Sequence, residues 1–405
     1  MTPAAHTPSA LSLRQALSFQ GITTGLIAGL VGFGSSFAVV VQGLLAVGAT
    51  PAQAASGLTA TCLMMGVAGV YFSLRLRQPI SVAWTTPGAA LLAATGVAEG
   101  GFAAAVGAFL LVGALIILCG LWRPLGTLIQ RIPGSIANAM LAGILLPLCL
   151  APFTALKAIP LLAVPVVVTW AMISVFSRLY AVPAAVLVAL LLMLFPELTG
   201  GVAAATPSLS PALSFVTPTL TGSAVIGIAL PLFLVTMASQ NVPGLAILAA
   251  NGYRPEARPL FIGTGAGSML SALGGGLSIN LAAITAALCA GPEASSSPDR
   301  RYIAALMAGL TYIGLAVLSA AAAALVSQSP PLLIQAVAGL ALMNAFAGAA
   351  VAGFQEMEDR LPAVLTFLIT ASGLSLWGIG PAFWGLICGL LFRALLRAVA
   401  GKKAG

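Results

Sequence analysis

Apolar residues fill this chain in runs of about 20, separated by short stretches of polar residues, Gly and Pro. A helix needs a run of about that length to cross a hydrocarbon core about 30 Å thick. Reading between the breaks predicts spans over 17–47, 51–74, 79–97, 101–121, 134–152, 159–177 and 181–196. After a loop rich in Thr, Ser and Pro, further spans fall at 223–250, 257–275, 277–291, 302–326, 331–352, 362–377 and 379–399. The expectation is an all-α integral membrane protein of 14 transmembrane segments. Its parts are a tail (1–16), seven segments (17–196), a loop (197–222), seven more (223–399) and a tail (400–405). Residues 1–16 read as a cytoplasmic tail rather than a signal peptide, because a Gly-rich span follows without a cleavage site.

Two segments depart from the pattern in corresponding places. In "PISVAWTTPGAALLAATG", Pro79 to Gly96, β-branched and aromatic residues favour extended chain, and Thr-Thr-Pro-Gly then opens a helix. Thr86 is the expected cap, and Pro87 stands at the first helical position, where it has no N–H to lose. From Pro87 to Gly96 such a helix rises only about 15 Å, half of the bilayer core, so it begins near the midplane. The second half repeats the plan in "LSINLAAITAALCAG", with Asn280 as the expected cap and Leu281 to Gly291 as the short helix. Thr86 and Asn280, and likewise Glu99 and Glu293, are separated by the same 194 residues. Seven segments per half start the second half from the opposite side of the membrane, so the expected duplication is a 7+7 inverted repeat. Free N–H groups and positive dipole ends at two facing helix starts suit one anion, and paired interrupted segments mark transporter binding sites. An ordinary kinked or re-entrant helix is the alternative.

Composition agrees with the membrane reading. Hydrophobic residues make up 60% and charged residues 6% of the chain, against about 25% charged in soluble domains. The net charge of +8 comes from basic residues at the ends of apolar runs, which sets topology and leaves no nucleic-acid-binding cluster. With the N-terminus inside, Lys157 alone among the 16 Lys and Arg residues falls outside, as the positive-inside rule requires for 14 spans and two cytoplasmic termini.

The chemistry is correspondingly sparse. Five widely spaced cysteines suit packing, and the single histidine, His6, lies in the tail, so no metal, cofactor or histidine-based catalysis is expected. Ser239, Gln240 and Asn241 stand mid-span in "MASQNVPG", where they bond other helices or face a substrate. Phe33 and Phe37 in "GFGSSF" flank an aromatic ligand or simply pack. No carboxylate lies within a span. Glu99 and Glu293, at the ends of the short helices, are candidates for proton coupling or solvated loop residues, and Glu356, Glu358 and Asp359 read as a solvated connector. "GTGAGS", Gly263 to Ser268, lacks a preceding strand and a Walker lysine, so close helix packing is the better reading.

Taken together, "PISVAWTTPGAALLAATG", "LPLFLVTMASQNVPGLAILAANGY" and "SINLAAITAALCAGPEA", with "RRY" after them, resemble the bacterial benzoate:proton symporters. The resemblance covers nearly the whole chain. It implies secondary transport of benzoate or a related aromatic acid with protons in a bacterial inner membrane, a fold related to uracil and nucleobase carriers, core and gate domains, and a homodimer. Carried over, the substrate site comprises Trp84, Thr85, Thr86, Pro87 and Gly88 on one side. Ser278, Ile279, Asn280 and Leu281 stand on the other, with Ser239, Gln240, Asn241, Phe33 and Phe37 around them. Uracil-type carriers hold carboxylates where this chain has Gln240, Asn241 and Asn280, a difference that suits an anionic substrate and leaves the proton carrier unidentified. Carriers of another anion and a passive anion channel are the competing readings. An intramembrane enzyme is disfavoured, since no nucleophile–base pair, metal site or acid pair is present.

Overall fold

The computed structural model describes residues 13–122, 124, 133–193, 213–376 and 379–403. His6, Arg123, Arg131 and most of the predicted 197–222 loop lie outside them. A helical turn at Leu13–Ala16 leads into α1 (Phe19–Ala46) and α2 (Pro51–Leu76). Strand β1 (Val82–Trp84) and half-helix α3 (Thr86–Thr95) follow, then α4 (Gly101–Leu121), α5 (Gly134–Ala158), α6 (Pro160–Phe176) and α7 (Arg178–Leu192). The second half runs through α8 (Gly222–Ala250), α9 (Ala257–Leu273), strand β2 (Ile279–Leu281) and half-helix α10 (Ile284–Ala290). It continues through α11 (Tyr302–Gln328), α12 (Pro331–Phe354), α13 (Arg360–Ala371) and α14 (Pro381–Lys403). Eight of these helices are long and apolar enough to cross a membrane unaided; the others are shorter or broken.

Local sequence explains the starts and stops. Thr50 and Gln53 form a reciprocal capping box around Pro51 at the head of α2. Arg77, the one non-glycine residue with positive φ (51°) among the described residues, ends α2 and turns the chain into the extended stretch before β1. In α8 the π-turns Val225–Ala229 and Met237–Asn241 each take an extra residue into the helix. The second coincides with Ser239, Gln240 and Asn241, and such bulges concentrate at functional sites.

Helices α1–α4 and α8–α11 form a core domain, and α5–α7 with α12–α14 form a gate domain. In the core, α2 packs on α11 and α9 packs on α4, which is the same contact seen from each inverted repeat. Both contacts rest on facing glycines. A Cβ on Gly66 would lie 2.7 Å from the Gly309 carbonyl oxygen, and one on Gly265 would lie 2.7 Å from that of Gly113. "GTGAGS" is thus a close-packing surface, as small residues at membrane helix contacts commonly are.

The gate is built around α5, which packs on α12 and α13. Here the sequence reading needs correction. Glu356 and Glu358 are exposed, but Asp359 is buried: its carboxylate accepts from Arg393 Nε at 2.6 Å and from Ser135 Oγ at 3.1 Å, with Arg397 at 3.9 Å. A carboxylate beside "DR" reads as loop because the partners that bury it come from two distant helices. The Arg393 hydrogen bond holds the Asp359 carboxyl below its ordinary range, against the opposing effect of burial. A lowered folded pKa adds stability above the unfolded value, near pH 4, and that stability is lost as pH falls through the folded value. Thermal unfolding in detergent is therefore expected to give Asp359→Asn a lower midpoint than wild type at pH 7, by an amount that shrinks toward pH 3.

Candidate functional site

The two broken segments meet. β1 and β2 pair antiparallel across the interior, Val82 against Leu281, Ala83 against Asn280 and Trp84 against Ile279. The strand starts Val82 and Ile279 are therefore the equivalent positions in the two halves, rather than Thr86 and Asn280. Backbone at membrane depth must find all its partners within the protein, and side chains complete the free edge of β2. Ser268 Oγ accepts from Ile279 N at 2.9 Å and donates to Ile279 O at 3.0 Å; Asn241 Oδ1 accepts from Leu281 N at 3.0 Å. Just before the strand, Thr61 Oγ1 accepts from Leu277 N at 3.0 Å.

Each helix start differs from expectation by a few residues. Thr85, not Thr86, caps α3: its hydroxyl accepts from Gly88 N at 3.1 Å, with Pro87 inside the first turn. Thr85 is the better cap because its extended backbone leaves the side chain alongside the first turn, whereas Thr86 is already helical. Asn280 does not cap α10, which starts at Ile284 after Ala283. Strand pairing has claimed it. With its amide oriented to suit its neighbours, Asn280 accepts from Thr85 N and donates to Leu281 O, both at 3.2 Å, tying β2 to the head of α3.

Beside these starts lies an aromatic group. Phe33 and Phe37, one turn apart on α1, stack with centroids 5.2 Å apart and planes 8° from parallel, and Phe33 lies 5.7 Å from Trp84. The indole is fixed from two sides. Trp84 Nε1 donates to Ser36 Oγ at 2.9 Å, and Tyr312 of α11 packs on the ring at 6.5 Å. On its other flank Phe37 lines an apolar crevice with Val186, Met193, Leu325 and Ile334, where core helices α1 and α11 face gate helices α7 and α12.

The polar candidates divide into bonded and unbonded. Asn241 is fully buried and spent on β2, and Ser239 Oγ donates to Val235 O within its own helix. Gln240, half-buried between them, has no side-chain hydrogen bond to a described residue. The Ser278 hydroxyl is fully buried without a partner among the described residues, as is that of Thr236, one residue before the second π-turn. A buried unpaired hydroxyl is costly unless something binds it. Thr236 was not foreseen, and neither were Ser36, Ser268 and Tyr312; an isolated hydroxyl in an apolar helix looks like packing until its neighbour is known. Glu99 and Glu293 stand exposed, away from the aromatic group, and contribute backbone instead. Thr221 donates to Glu99 O at 3.1 Å, while Thr24 and Gln20 donate to Glu293 O at 3.0 Å, so each turn after a half-helix is fastened to the start of α8 or α1.

Known proteins share this fold. The chain is similar to the transmembrane domain of a cyanobacterial bicarbonate transporter, BicA, with a TM-score of 0.60, 17% identity and 92% and 98% of the two chains covered. It is also similar to murine Slc26a9, an anion transporter in the inward-facing state, with a TM-score of 0.62, 14% identity and 96% and 70% covered. These likenesses establish the core and gate fold. In sequence, it is 38% identical to the inner membrane protein YdcO of Escherichia coli K12, over 94% of this chain and 97% of that one. It is 32% identical to the benzoate membrane transport protein of Acinetobacter baylyi, over 95% and 97%. Residues 15–395 match the family described as benzoate membrane transport protein. An interior sheet joining two half-helices, a core facing a gate and this end-to-end similarity agree: the chain is a membrane transporter, not an enzyme, and belongs to the benzoate membrane transport protein family.

Proposed function

We propose that this protein imports benzoate or a related aromatic carboxylate together with protons, by alternating access of the core against the gate. The observation that carries the reading is the juxtaposition of the two half-helix starts with the Phe33–Phe37–Trp84 group. The starts of α3 and α10, with Ser278 and Gln240, suit the carboxylate, and the aromatic faces suit the ring. Asn280 and Asn241 act one step back, holding the strands that place these groups. The apolar crevice behind Phe37 gives the core a smooth surface against the gate. Glu99 and Glu293 meet protons at the two water boundaries, the molecule sits in a bacterial inner membrane with both termini cytoplasmic, and it pairs as a homodimer. The relation to uracil carriers belongs to the same proposal, with neutral amides in place of their carboxylates. The name of the Acinetobacter relative supports benzoate as substrate.

Uptake of labelled benzoate into proteoliposomes tests this, with an inward proton gradient, protein-free vesicles as the blank, and sulfate, uracil and aliphatic acids as competitors. Gradient-stimulated initial rates that yield only to aromatic acids are expected. Gln240→Ala is expected to raise the KM for benzoate about tenfold, the loss of about 1.4 kcal/mol from a charge-assisted hydrogen bond. Competition by sulfate or aliphatic acids would favour a carrier for another anion, and rates insensitive to the gradient a passive channel.

A further inference from the structure

The two repeats have matching parts but different surroundings. Half-helix α3 packs on α1 and α8 in the core and on α5 in the gate. Its counterpart α10 packs on α1, α8 and α11, all of them core helices, with no comparable contact to a gate helix among the described residues. Burial follows the packing. Ala90, eight residues after Val82 at the start of β1, is fully buried, whereas Ala287, eight residues after Ile279 at the start of β2, is exposed. From Ser36 to Leu44, α1 buries every residue except Gln42; from Gln240 to Leu248, α8 buries only Asn241, Gly244 and Leu248. Further contacts between core and gate gather at the far ends of α3 and α11. Thr95, in the last turn of α3, meets Gly380, which leads into α14: a Cβ on Gly380 would lie 3.3 Å from the Thr95 methyl group and 3.8 Å from Thr95 Cβ. Ser329, at the end of α11, donates from Oγ to Met193 Sδ at the end of α7, 3.3 Å away. Met193 also lines the crevice beside Phe37, so that crevice belongs to the same seam.

We infer that this structure is one half of a transport cycle, shut on the α3 side and open on the α10 side, and that the Thr95–Gly380 contact is a barrier that parts in every turnover. The inference rests on the alternating-access reading above. The Thr95 hydroxyl is spent on Leu91 O within α3, so the contact parts without orphaning a polar group. The inverted repeats define the opposite state: in it α10 closes on α12 as α3 closes on α5 here, and Ala287 takes the buried place that Ala90 now holds. Under the topology read from the Lys and Arg positions, the shut side is the outer one and the open side faces the cytoplasm.

The 3.8 Å between these Cβ positions matches the separation across a disulfide, about 3.8 Å, so Thr95→Cys with Gly380→Cys supplies the test. The purified double variant is oxidised with copper phenanthroline and its thiols are counted with a maleimide after denaturation. The two single variants, which keep the five native cysteines, are the controls. Loss of two thiols is expected. In proteoliposomes the linked protein is expected to lose benzoate uptake to the level of protein-free vesicles and to regain it with a reductant, while still binding labelled benzoate in detergent through the open side. No link, or uptake that persists through it, overturns the barrier; loss of binding along with uptake overturns the open side. If the reduced double variant is itself inactive, Ala38→Cys with Ala189→Cys, on the core and gate walls of the crevice, is joined by a short bifunctional thiol reagent and read in the same way. Uptake that survives that link, or failure to form it, overturns the barrier. Wild-type protein that neither binds nor transports benzoate overturns the substrate reading, and the thiol count, which needs no substrate, still decides whether this side is shut.

Discussion

Gly43→Ala is expected to abolish benzoate uptake, while Gly34→Ala on the same helix leaves it unchanged. A Cβ on Gly43 is driven into the carbonyl oxygen of Ala89, with the Ala89 carbonyl carbon 3.1 Å away; nothing lies within 4 Å of a Cβ on Gly34. The obstacle is backbone and cannot rotate aside. Ala89 N donates to Thr85 O in the first turn of α3, so displacing Ala89 moves the helix start and the adjoining Trp84. Forcing a methyl group into a packed interior costs about 1–3 kcal/mol, and here the strain falls on the element that presents the site. Uptake rates with thermal unfolding midpoints check this. A Gly43→Ala protein that transports normally would show that α3 is free to shift against α1.

Asn241→Leu is expected to lower benzoate affinity about ten- to hundredfold without direct loss of a ligand contact. Leucine fills a similar volume but offers no acceptor, leaving the Leu281 N–H unpaired at membrane depth, where an orphaned donor costs about 1–3 kcal/mol. The strand then loosens on the edge away from β1. Asn241→Asp keeps an acceptor for Leu281, so its unfolding midpoint is expected to stay near that of wild type, while the added negative charge repels a carboxylate. Binding of labelled benzoate to the purified variants, read with their unfolding midpoints, separates the structural part of the Asn241 effect from the electrostatic part. Unchanged affinity in Asn241→Leu would mean that β2 holds its place without this bond.

The helices were legible because lipid imposes a length on every apolar run, and the breaks were legible because Pro87 and the Gly274–Gly276 run sit where uninterrupted helix was due. Within the breaks the helix starts slipped by one residue in the first half and three in the second. Thr85 and Thr86 are equally good caps by type, and only the backbone conformation chooses between them. Asn280 has the chemistry of a cap, yet it sits in a strand because Ala83, far away in sequence, is there to pair with it. Asp359 failed for a related reason: nothing near it in sequence foretells Arg393 and Ser135. The site residues that were missed, Ser36, Thr236 and Tyr312, act through partners on other helices, and one sequence carries no record of which helix faces which.

The pairing of β1 with β2 also bears on biosynthesis. When the ribosome has made Trp84, the partner strand is still about 200 residues away, and at about 5–20 residues per second it arrives some 10–40 s later. Until then the extended stretch around β1 has backbone groups that neither lipid nor its own half can satisfy. The first repeat must therefore wait, either beside the insertion machinery or with α3 shallow in the interface, and it closes only when the second repeat enters. A truncated chain ending before Ile279 would expose this unfinished edge to quality-control proteases, so the two halves stand or fall as one unit.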